Sequence, residues 1–295
     1  SSTGVIGEQL PINKILKTLT KLTNKSEEKK NVDWEGFANS IMTTDTFPKG
    51  VYKKTRIGNK EVKLIGIAKG SGMIAPNMAT MLSYIFTDAD IASHLLKSLL
   101  KKACSNTFNA ISVDSDQSTN DMITIFSTKK IKIGQNRNLT DPVIQKFELA
   151  LKKLCLNLAK QIVVDGEGAK KFITIKVTNS KSIISAKKIA FAVGNSPLLK
   201  TAVAGEDPNW GRIIMAIGKT KIKINLDKLN INIGPHKIIE NGKLSSTYKE
   251  SDVAEYMQSL EIKINVQIGN GNKDFEVYTM DLTKKYIEIN SDYRS

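Results

Sequence analysis

Four short segments of this chain hold most of the side chains that could carry chemistry. Each is richer in Gly, Asn, Asp, Ser and Thr than its surroundings and lies beside an apolar run. They are residues 69–82 (KGSGMIAPNMATML), 108–121 (FNAISVDSDQSTND), 165–171 (DGEGAKK) and 195–213 (NSPLLKTAVAGEDPNWGRI). Because binding and catalytic groups usually lie on polar segments held by a rigid scaffold, we take these four as the candidate site.

Residue types alone narrow the chemistry only partly. The run from Lys69 to Gly72 lacks the G-x-x-x-x-G-K-[ST] pattern, so a nucleotide site is poorly supported. Thr80 has a hydroxyl group, which is a weak nucleophile unless a base lies nearby. Neither His94, in a helical pattern, nor His236, in a Gly-Pro turn, has the neighbours of a catalytic triad. Considered alone, Thr80 fits a β-branched residue entering a strand.

Apolar periodicity predicts the elements that position these segments. We expect helices over 11–24, from Asp33, after Asp88 or Asp90, and from Asp141-Pro142. Strands are expected at 62–68, 81–86, 173–177, 221–226, 260–268 and 285–289, with turns at 49–61 and 269–272. Helices mixed with separated strands indicate an α/β or α+β fold with substantial mixed sheets.

Composition excludes several classes of protein. The 295 residues are 40% hydrophobic and 25% charged, as in ordinary globular proteins. No apolar run reaches the length of roughly 20 residues that a membrane helix needs. The net charge of +15 could attract nucleic acid, but the lysines are spread along the chain and aromatic residues are only 6%. A solvated, lysine-rich surface that helps to attract an anionic substrate fits better.

The cysteines and the N-terminus suggest a compartment and a missing segment. Cys104 and Cys155 are far apart, each in an apolar pattern, so we expect buried, inert thiols in a reducing cytoplasm and no metal site. The N-terminus has no signal-peptide pattern and no initiator Met. We therefore expect that an N-terminal segment of a longer protein is missing.

The four segments, together with the two ends of the chain, resemble the ornithine acetyltransferase family, also called glutamate N-acetyltransferases. STGVIGEQLP near the start, MTTDTFPK at 42–49, and YTMDL and INSDYRS near the C-terminus match its other signature stretches. The resemblance covers essentially the whole chain. It implies two α/β domains, no metal, no cofactor, and a heterotetramer of two α and two β chains.

The resemblance also implies a self-cleaving enzyme. Family members break the bond matched by Ala79-Thr80, which would leave residues 1–79 in the α chain and 80–295 in a β chain beginning with Thr80. A freed α-amino group titrates at about 7.7–8.0, so it could accept the proton of the Thr80 hydroxyl at neutral pH. Thr80 would then supply both the nucleophile and the base, and neither histidine would be needed.

Further roles are carried over from the family residue by residue. Thr3 and Gly4 match the donors that stabilise the oxyanion, a contribution typically worth about 2.7–4 kcal/mol for one side-chain donor. The substrate contacts match Thr43, Lys69, Thr80, Glu167, Asn290 and Ser295. Lys69 could pair with an α-carboxylate, and Glu167 could meet the ornithine ammonium or help in proton transfer. Without the family motif, the Ser-Thr-Gly stretch would be an ordinary turn and Glu167 equally well an acidic residue of a surface turn.

Three positions depart from the family pattern. Ala110 replaces the common Arg after Phe-Asn, and Ser115 and Gln117 replace Gly and Thr in the VDGDTSTND motif. These changes leave the predicted contact residues intact, and we expect them to affect local packing and kinetics. Ser295 keeps the hydroxyl of the commoner terminal Thr.

The resemblance predicts ping-pong acetyl transfer from N-acetylornithine to glutamate, with acetyl-CoA left open as a second acetyl donor. A rival enzyme class is the N-terminal-nucleophile amidase or peptidase, which would give the acyl group to water. A rival without catalysis is a basic nucleic-acid-binding protein, which would show steeply salt-dependent binding.

Overall fold

The computed structural model describes residues 7–25, 32–75, 81–118, 120–133, 137–269 and 271–292. Its helices are α1 (Ile12–Lys25), α2 (Trp34–Ser40), α3 (Ser93–Ser105), α4 (Pro142–Val164), α5 (Ile183–Gly194), α6 (Pro197–Ala204), α7 (Gly211–Gly218), α8 (Glu250–Met257) and α9 (Lys284–Asp292). Its strands are β1 (Lys49–Ile57), β2 (Lys60–Lys69), β3 (Leu82–Asp90), β4 (Met122–Lys132), β5 (Phe172–Ser180), β6 (Asn230–Ile233), β7 (His236–Glu240), β8 (Lys243–Leu244), β9 (Glu261–Gln267) and β10 (Lys273–Met280). This mixture confirms the predicted α/β class with mixed sheets.

The first sheet has the order β1-β2-β3-β4. Strands β1, β2 and β3 are antiparallel neighbours, whereas β4 runs parallel to β3. A parallel neighbour needs a crossover connection, and α3 lies in that connection. As a result, β3 and β4 begin at the same edge of the sheet, with Leu82 opposite Met122.

Helix α4 covers one face of this sheet by packing on β1 and β2. The Asp141 side chain accepts a hydrogen bond from Val143 N and caps the helix, and Pro142 occupies its first turn. Where the helix crosses β2, a β-carbon on Gly66 would lie 2.6 Å from a methyl group of Leu154. Glycine there permits the close approach that brings the C-terminal end of α4 beside the end of β2.

The second sheet has the order β10-β5-β9-β6-β7-β8. Its strands contribute to a second hydrophobic core. Strands β5 and β9 are parallel, and α5 packs on β5 and β10. The two halves of the structure meet where Ile111 forms a parallel bridge with Tyr278 on β10 and Ser112 N donates to Tyr278 O at 3.0 Å. The 108–121 segment therefore touches both halves.

Several predicted elements are confirmed. Helices α1 and α4 match their apolar patterns, and α2 begins after Asp33, whose carboxylate accepts from Gly36 N. The predicted strands at 62–68, 81–86, 173–177 and 260–268 correspond to β2, β3, β5 and β9, although β3 starts at Leu82. The five apolar residues on the predicted face of α1 are all exposed in the described structure: Ile12, Ile15, Leu16, Leu19 and Leu22.

Two predicted strands are wrong. Residues 285–289 lie in α9, which begins after Thr283, whose hydroxyl accepts from Lys285 N at 3.2 Å. Residues 221–225 form no strand. There the Asn225 side chain accepts a hydrogen bond from Asp227 N, and Thr220 Oγ1 accepts one from Ile222 N. These local hydrogen bonds take the place of the interstrand hydrogen bonds that a strand would form.

Two further boundaries are corrected. Residues 49–61 are mostly the β1–β2 hairpin, whose turn is only Gly58-Asn59, with Ile57 paired to Lys60. Neither Asp88 nor Asp90 caps α3. Asp88 accepts a hydrogen bond from Lys63 N on β2, and Asp90 pairs with Lys132 on β4 at 2.8 Å. Both side chains therefore bind neighbouring strands of the sheet.

Candidate active site

Lys69 ends β2 as a buried cation, with only 1% of its surface exposed. Its Nζ donates to the Thr43 hydroxyl at 3.3 Å. Burial disfavours the ammonium form and lowers the Lys69 pKa, while the charges of Asp45 and Asp121 oppose this effect. Two residues predicted to bind substrate are therefore in contact, and Lys69 is a desolvated cation suited to a carboxylate.

Asp45 holds both Thr43 and the loop after β2. Its carboxylate accepts from Thr43 N at 3.1 Å and from Gly70 N at 2.7 Å, and it pairs with the fully buried Lys49. Burial alone would raise the Asp45 pKa, but the hydrogen bonds from Gly70, Lys49 and Thr43 together lower it. Asp45 is thus a buried anion that fixes the backbone on either side of the Lys69–Thr43 contact.

Asp165, at the C-terminal end of α4, binds the same lysine from the other side. Its carboxylate pairs with Lys49 and accepts from Thr46 N at 2.9 Å and from the Thr46 hydroxyl. Its carbonyl oxygen accepts from the Ser71 hydroxyl at 2.6 Å. Lys49 consequently joins two buried carboxylates beneath the loop that follows Lys69.

Glu167 lies against this loop. Glu167 N donates to Ser71 O at 3.2 Å, and its side chain lies where Gly72 would carry a β-carbon. Asn290, on α9, donates from Nδ2 to Glu167 Oε2 at 2.8 Å. These contacts bring two more predicted substrate residues together, although 123 positions separate them in sequence.

Asp114 fixes the far end of the described part of the loop. It accepts from Met73 N at 2.6 Å, from Ile74 N at 3.0 Å and from the Tyr286 hydroxyl at 3.3 Å. Burial raises the Asp114 pKa despite these backbone bonds. Met73 has φ 55°, an unusual left-handed conformation for a residue other than glycine, and the Asp114 bonds hold it there.

Lys200 lies beneath Asp114 with 4% of its surface exposed. Its Nζ donates to the carbonyl oxygen of Val113, and the charges of Asp114 and Asp281 act on it. Burial is the larger effect and lowers the Lys200 pKa to about 8. Lys200, the last residue of the NSPLLK stretch of the fourth segment, therefore holds the Val113 carbonyl group next to Asp114.

Asp121 contacts the residue that follows Thr80. Its Oδ1 accepts from Met81 N at 2.6 Å, and Met122 N donates to Met81 O at 3.1 Å. Burial raises the Asp121 pKa to about 6, opposed by the Met81 hydrogen bond and by Lys69. Asp121 and the paired starts of β3 and β4 thus fix the position of Met81.

The structure brings together Thr43, Lys69, Glu167 and Asn290 around the loop from Lys69 to Gly72. The remaining predicted site residues lie outside the described residues: Thr3, Gly4, Ala79, Thr80 and Ser295. Sequence reasoning assigned no role to five buried or partly buried groups that hold the site: Asp45, Lys49, Asp114, Asp121 and Asp165. Their only signal was their position inside the motif segments.

The departures from the family pattern have local structural settings. Ala110 is fully buried at the junction of the two halves, where the second core includes it. Ser115 has φ 69°, a conformation that favours glycine, so serine there costs backbone strain that glycine would avoid.

Both cysteines are free and buried, and burial raises the Cys104 pKa to about 12, which confirms unreactive thiols.

Other features of the described chain lie outside this site. A groove of about 590 Å³ lies between α2 and the strands β1 and β2, lined in part by Trp34, Tyr52 and Ile65, and no predicted site residue lines it. Within the described ranges, no group of His, Cys, Asp and Glu side chains could hold a metal ion. No helix in those ranges is both long and apolar enough to cross a membrane.

The fold and this site define an α/β protein in which an acidic and a basic side chain converge on one glycine-containing loop. The ArgJ family model matches residues 1–295, and the chain belongs to the ArgJ family. It is 46% identical over 295 residues to the arginine biosynthesis bifunctional protein ArgJ of Gluconobacter oxydans, across 100% of this chain and 69% of that protein. The same-named protein of Zymomonas mobilis is 47% identical over 295 residues, across 100% and 71%.

A solved structure agrees with the fold. The crystal structure of the arginine biosynthesis bifunctional protein argJ from Bacillus halodurans matches with a TM-score of 0.67 and 36% identity. The match covers 72% of this chain and 100% of that chain.

Proposed function

We propose that this chain transfers an acetyl group from N2-acetylornithine to glutamate in arginine biosynthesis, through an acetyl ester of Thr80. Its relatives are named as bifunctional proteins of arginine biosynthesis, which supports the pathway. The observation that carries the proposal is the convergence of Lys69, Glu167, Thr43 and Asn290 on one short loop. Amino-acid substrates present carboxylate and ammonium groups, and this loop offers one partner for each.

Cleavage before Thr80 is the first step of the proposal. It would separate 1–79 from 80–295 and convert the amide nitrogen of Thr80 into an α-amine. The segment 80–295 comprises 216 of 295 residues, about 73% of the chain. The match to the Bacillus halodurans structure covers a similar share of this chain, 72%.

Acetyl transfer then proceeds in two halves. The Thr80 hydroxyl attacks the acetyl carbonyl of N2-acetylornithine and passes its proton to the Thr80 α-amine, while Thr3 and Gly4 donate to the oxyanion. The C–N bond breaks, and the departing ornithine nitrogen takes that proton. The glutamate amine next attacks the acetyl ester, releases a proton to the same α-amine, and Thr80 regains it when N-acetylglutamate leaves.

Substrate recognition follows from charge. Lys69 would bind the α-carboxylate shared by both substrates, and the hydrogen bond to Thr43 would aim it. Glu167 would meet the side-chain ammonium of ornithine or assist proton transfer. Asn290 orients Glu167, and Ser295 would add a hydroxyl from the C-terminus. These groups need no metal and no cofactor, and acetyl-CoA is proposed as an additional acetyl donor.

We further propose a cytoplasmic enzyme in which two α and two β chains form a heterotetramer. The two free, buried cysteines suit a reducing compartment. Analytical ultracentrifugation of the purified protein tests the assembly. Sedimentation as a single uncleaved chain would contradict it.

The function is tested with N2-acetylornithine in the presence and absence of glutamate. Wild type should form N-acetylglutamate only when glutamate is present, and intact mass should show two chains that meet between Ala79 and Thr80. Thr80→Ala should remain one chain without transfer. Acetate without N-acetylglutamate would instead identify a hydrolase, and full transfer by Thr80→Ala would exclude Thr80 as nucleophile.

A further inference from the structure

Helix α9 brings Asn290 to the candidate site without burying any of its own residues in the described structure. Ile287, near the middle of the helix, is 67% exposed. A helix on a protein surface is normally fixed by an apolar face that it buries against the core. Other contacts must therefore hold α9 in the position from which Asn290 binds Glu167.

Tyr286 supplies such contacts from the first turn of α9. Its half-buried ring packs against the hydrophobic core shared by α4 and the first sheet, and its hydroxyl donates to Asp114 Oδ2 at 3.3 Å. Burial and the negative charge of Asp114 raise the Tyr286 pKa, so the hydroxyl stays protonated and remains a donor. A β-carbon on Gly168 would lie 2.6 Å from Tyr286 N, so glycine at 168 permits α9 to lie directly on the turn after α4.

One helical turn connects Tyr286 to Asn290. Asn290 Nδ2 donates to Tyr286 O at 3.0 Å and to Glu167 Oε2 at 2.8 Å. Residues four apart in an α-helix lie on the same face and are separated by a rise of about 6 Å. A rotation of α9 that broke the bond between Tyr286 and Asp114 would therefore carry Asn290 away from Glu167.

Asp114 joins this helix to the loop against which Glu167 lies. Its carboxylate accepts from Met73 N at 2.6 Å as well as from the Tyr286 hydroxyl. Gly72 directly precedes Met73, and its lack of a side chain leaves the space that Glu167 occupies. The contacts thus form a closed ring that runs from Glu167 through the loop, Asp114 and α9 and returns to Glu167.

On the basis of the proposed function, we propose that Tyr286 is a positioning residue for recognition of the ornithine side chain. Its hydroxyl, bonded to Asp114, fixes α9 and so keeps Asn290 on the carboxylate of Glu167. Tyr286 acts through these groups and does not touch the substrate. N2-acetylornithine brings a side-chain ammonium to Glu167, whereas glutamate has no side-chain cation. The effect of Tyr286 is therefore specific to the acetyl donor.

The test compares Tyr286→Phe with Tyr256→Phe in the complete protein. Phe at 286 keeps the ring and removes the hydroxyl that binds Asp114. Tyr256 is the matched control, because its hydroxyl also donates at 3.3 Å, to Glu261 O in the other half of the structure. Steady-state kinetics give kcat/KM for N2-acetylornithine and for glutamate, which in a ping-pong reaction report the two half-reactions separately. Amide hydrogen exchange measures the opening of α9 independently of activity.

We expect Tyr286→Phe to lower kcat/KM for N2-acetylornithine about fivefold, part of the loss that follows removal of a hydrogen bond to a charged group, and to leave kcat/KM for glutamate within about twofold. The amides of α9 should exchange faster than in Tyr256→Phe, while the urea midpoints of the two variants should agree. Adding Tyr286→Phe to Asn290→Ala should cause no further loss, because both substitutions interrupt the same path.

Equal losses of kcat/KM for the two substrates, or wild-type values for both, would overturn the assignment. Additive losses in the double variant would overturn it as well, because Tyr286 would then not act through Asn290. A urea midpoint far below that of Tyr256→Phe would do the same, since Tyr286 would then serve packing.

Failure of the proposed function would appear differently. Wild-type protein that makes no N-acetylglutamate would overturn that function and, with it, the recognition of ornithine. Unchanged hydrogen exchange of α9 in Tyr286→Phe, with an active wild type, would overturn the anchoring alone.

Discussion

The carboxylate of Glu167 occupies the space in which Gly72 would carry a side chain. A β-carbon on Gly72 would lie 2.4 Å from Glu167 Cδ and 2.4 Å from Oε1. This contact brings an acidic group from the turn after α4 directly onto the loop that begins with Lys69. The absence of a side chain at position 72 is therefore a requirement of the proposed substrate site.

Gly72→Ala should displace Glu167 and impair acetyl transfer. Crowding of this kind typically costs about 1–3 kcal/mol of stability, and we expect kcat/KM to fall by at least about tenfold as the carboxylate moves. The control is Gly218→Ala, because a β-carbon there meets nothing within 4 Å. Steady-state kinetics and urea unfolding check both variants. Wild-type kcat/KM in Gly72→Ala would contradict the placement of Glu167.

Lys49→Met should strongly destabilise the fold. Lys49 pairs with Asp45 and Asp165, whose side chains are 0% and 2% exposed, and its loss leaves two buried carboxylates without a cation. Removing one partner from such a group typically costs about 3–5 kcal/mol. Lys54→Met is the control, since Lys54 and Glu61 form an exposed pair, and its urea midpoint should stay near that of wild type. Similar midpoints in both variants would refute this role for Lys49.

Lys200 should make the free energy of unfolding increase with pH in the alkaline range. Its pKa is about 8 in the folded protein against 10.5 as the reference, so between these values the unfolded chain binds more protons. Below pH 8 the buried ammonium group lowers the free energy of unfolding, and this penalty disappears as the pH rises towards 10.5. The unfolding free energy of wild type should therefore rise relative to Lys200→Met by about 2 kcal/mol from pH 8 to 10.

Urea unfolding of the two proteins at several pH values measures this difference. Lys200→Arg serves as the comparison. Arginine stays protonated throughout this range, so the unfolding free energy of Lys200→Arg should depend on pH in the same way as that of Lys200→Met. A constant difference between wild type and Lys200→Met would show that Lys200 has an ordinary pKa.

Asn290→Ala should weaken substrate binding more than it affects folding. The amide of Asn290 donates to Glu167 Oε2 at 2.8 Å from α9, and its loss frees the carboxylate to rotate. A hydrogen bond to a charged group is worth about 1.5–3 kcal/mol, so KM for N2-acetylornithine should rise about tenfold or more. Ser291→Ala, which removes only an exposed hydroxyl bonded to Glu288 O, is the control. An unchanged KM in Asn290→Ala would remove Asn290 from the site.

Local pattern determined much of the secondary structure. Helix α4 could be predicted because Asp141-Pro142 marks its start and its apolar residues recur at helical spacing. Strand β9 could be predicted because Ile262, Ile264 and Val266 alternate with exposed residues. Where local signals competed, prediction failed. The alternation at 285–289 suggested a strand, but the Thr283 cap and the packing of Tyr286 near Asp114 favour a helix.

The sequence by itself determined the α/β class, the family and the four candidate segments, because these depend on residue order and short-range periodicity. The roles of Thr3, Gly4, Thr80 and Ser295 stay predictions. Only the tertiary structure decided that Asp45, Asp165 and Lys49 form one buried ionic group beneath the loop, and that Asp121 holds Met81. Those contacts join residues as many as 116 positions apart, and chain folding rather than local pattern determines which distant charges share a desolvated space.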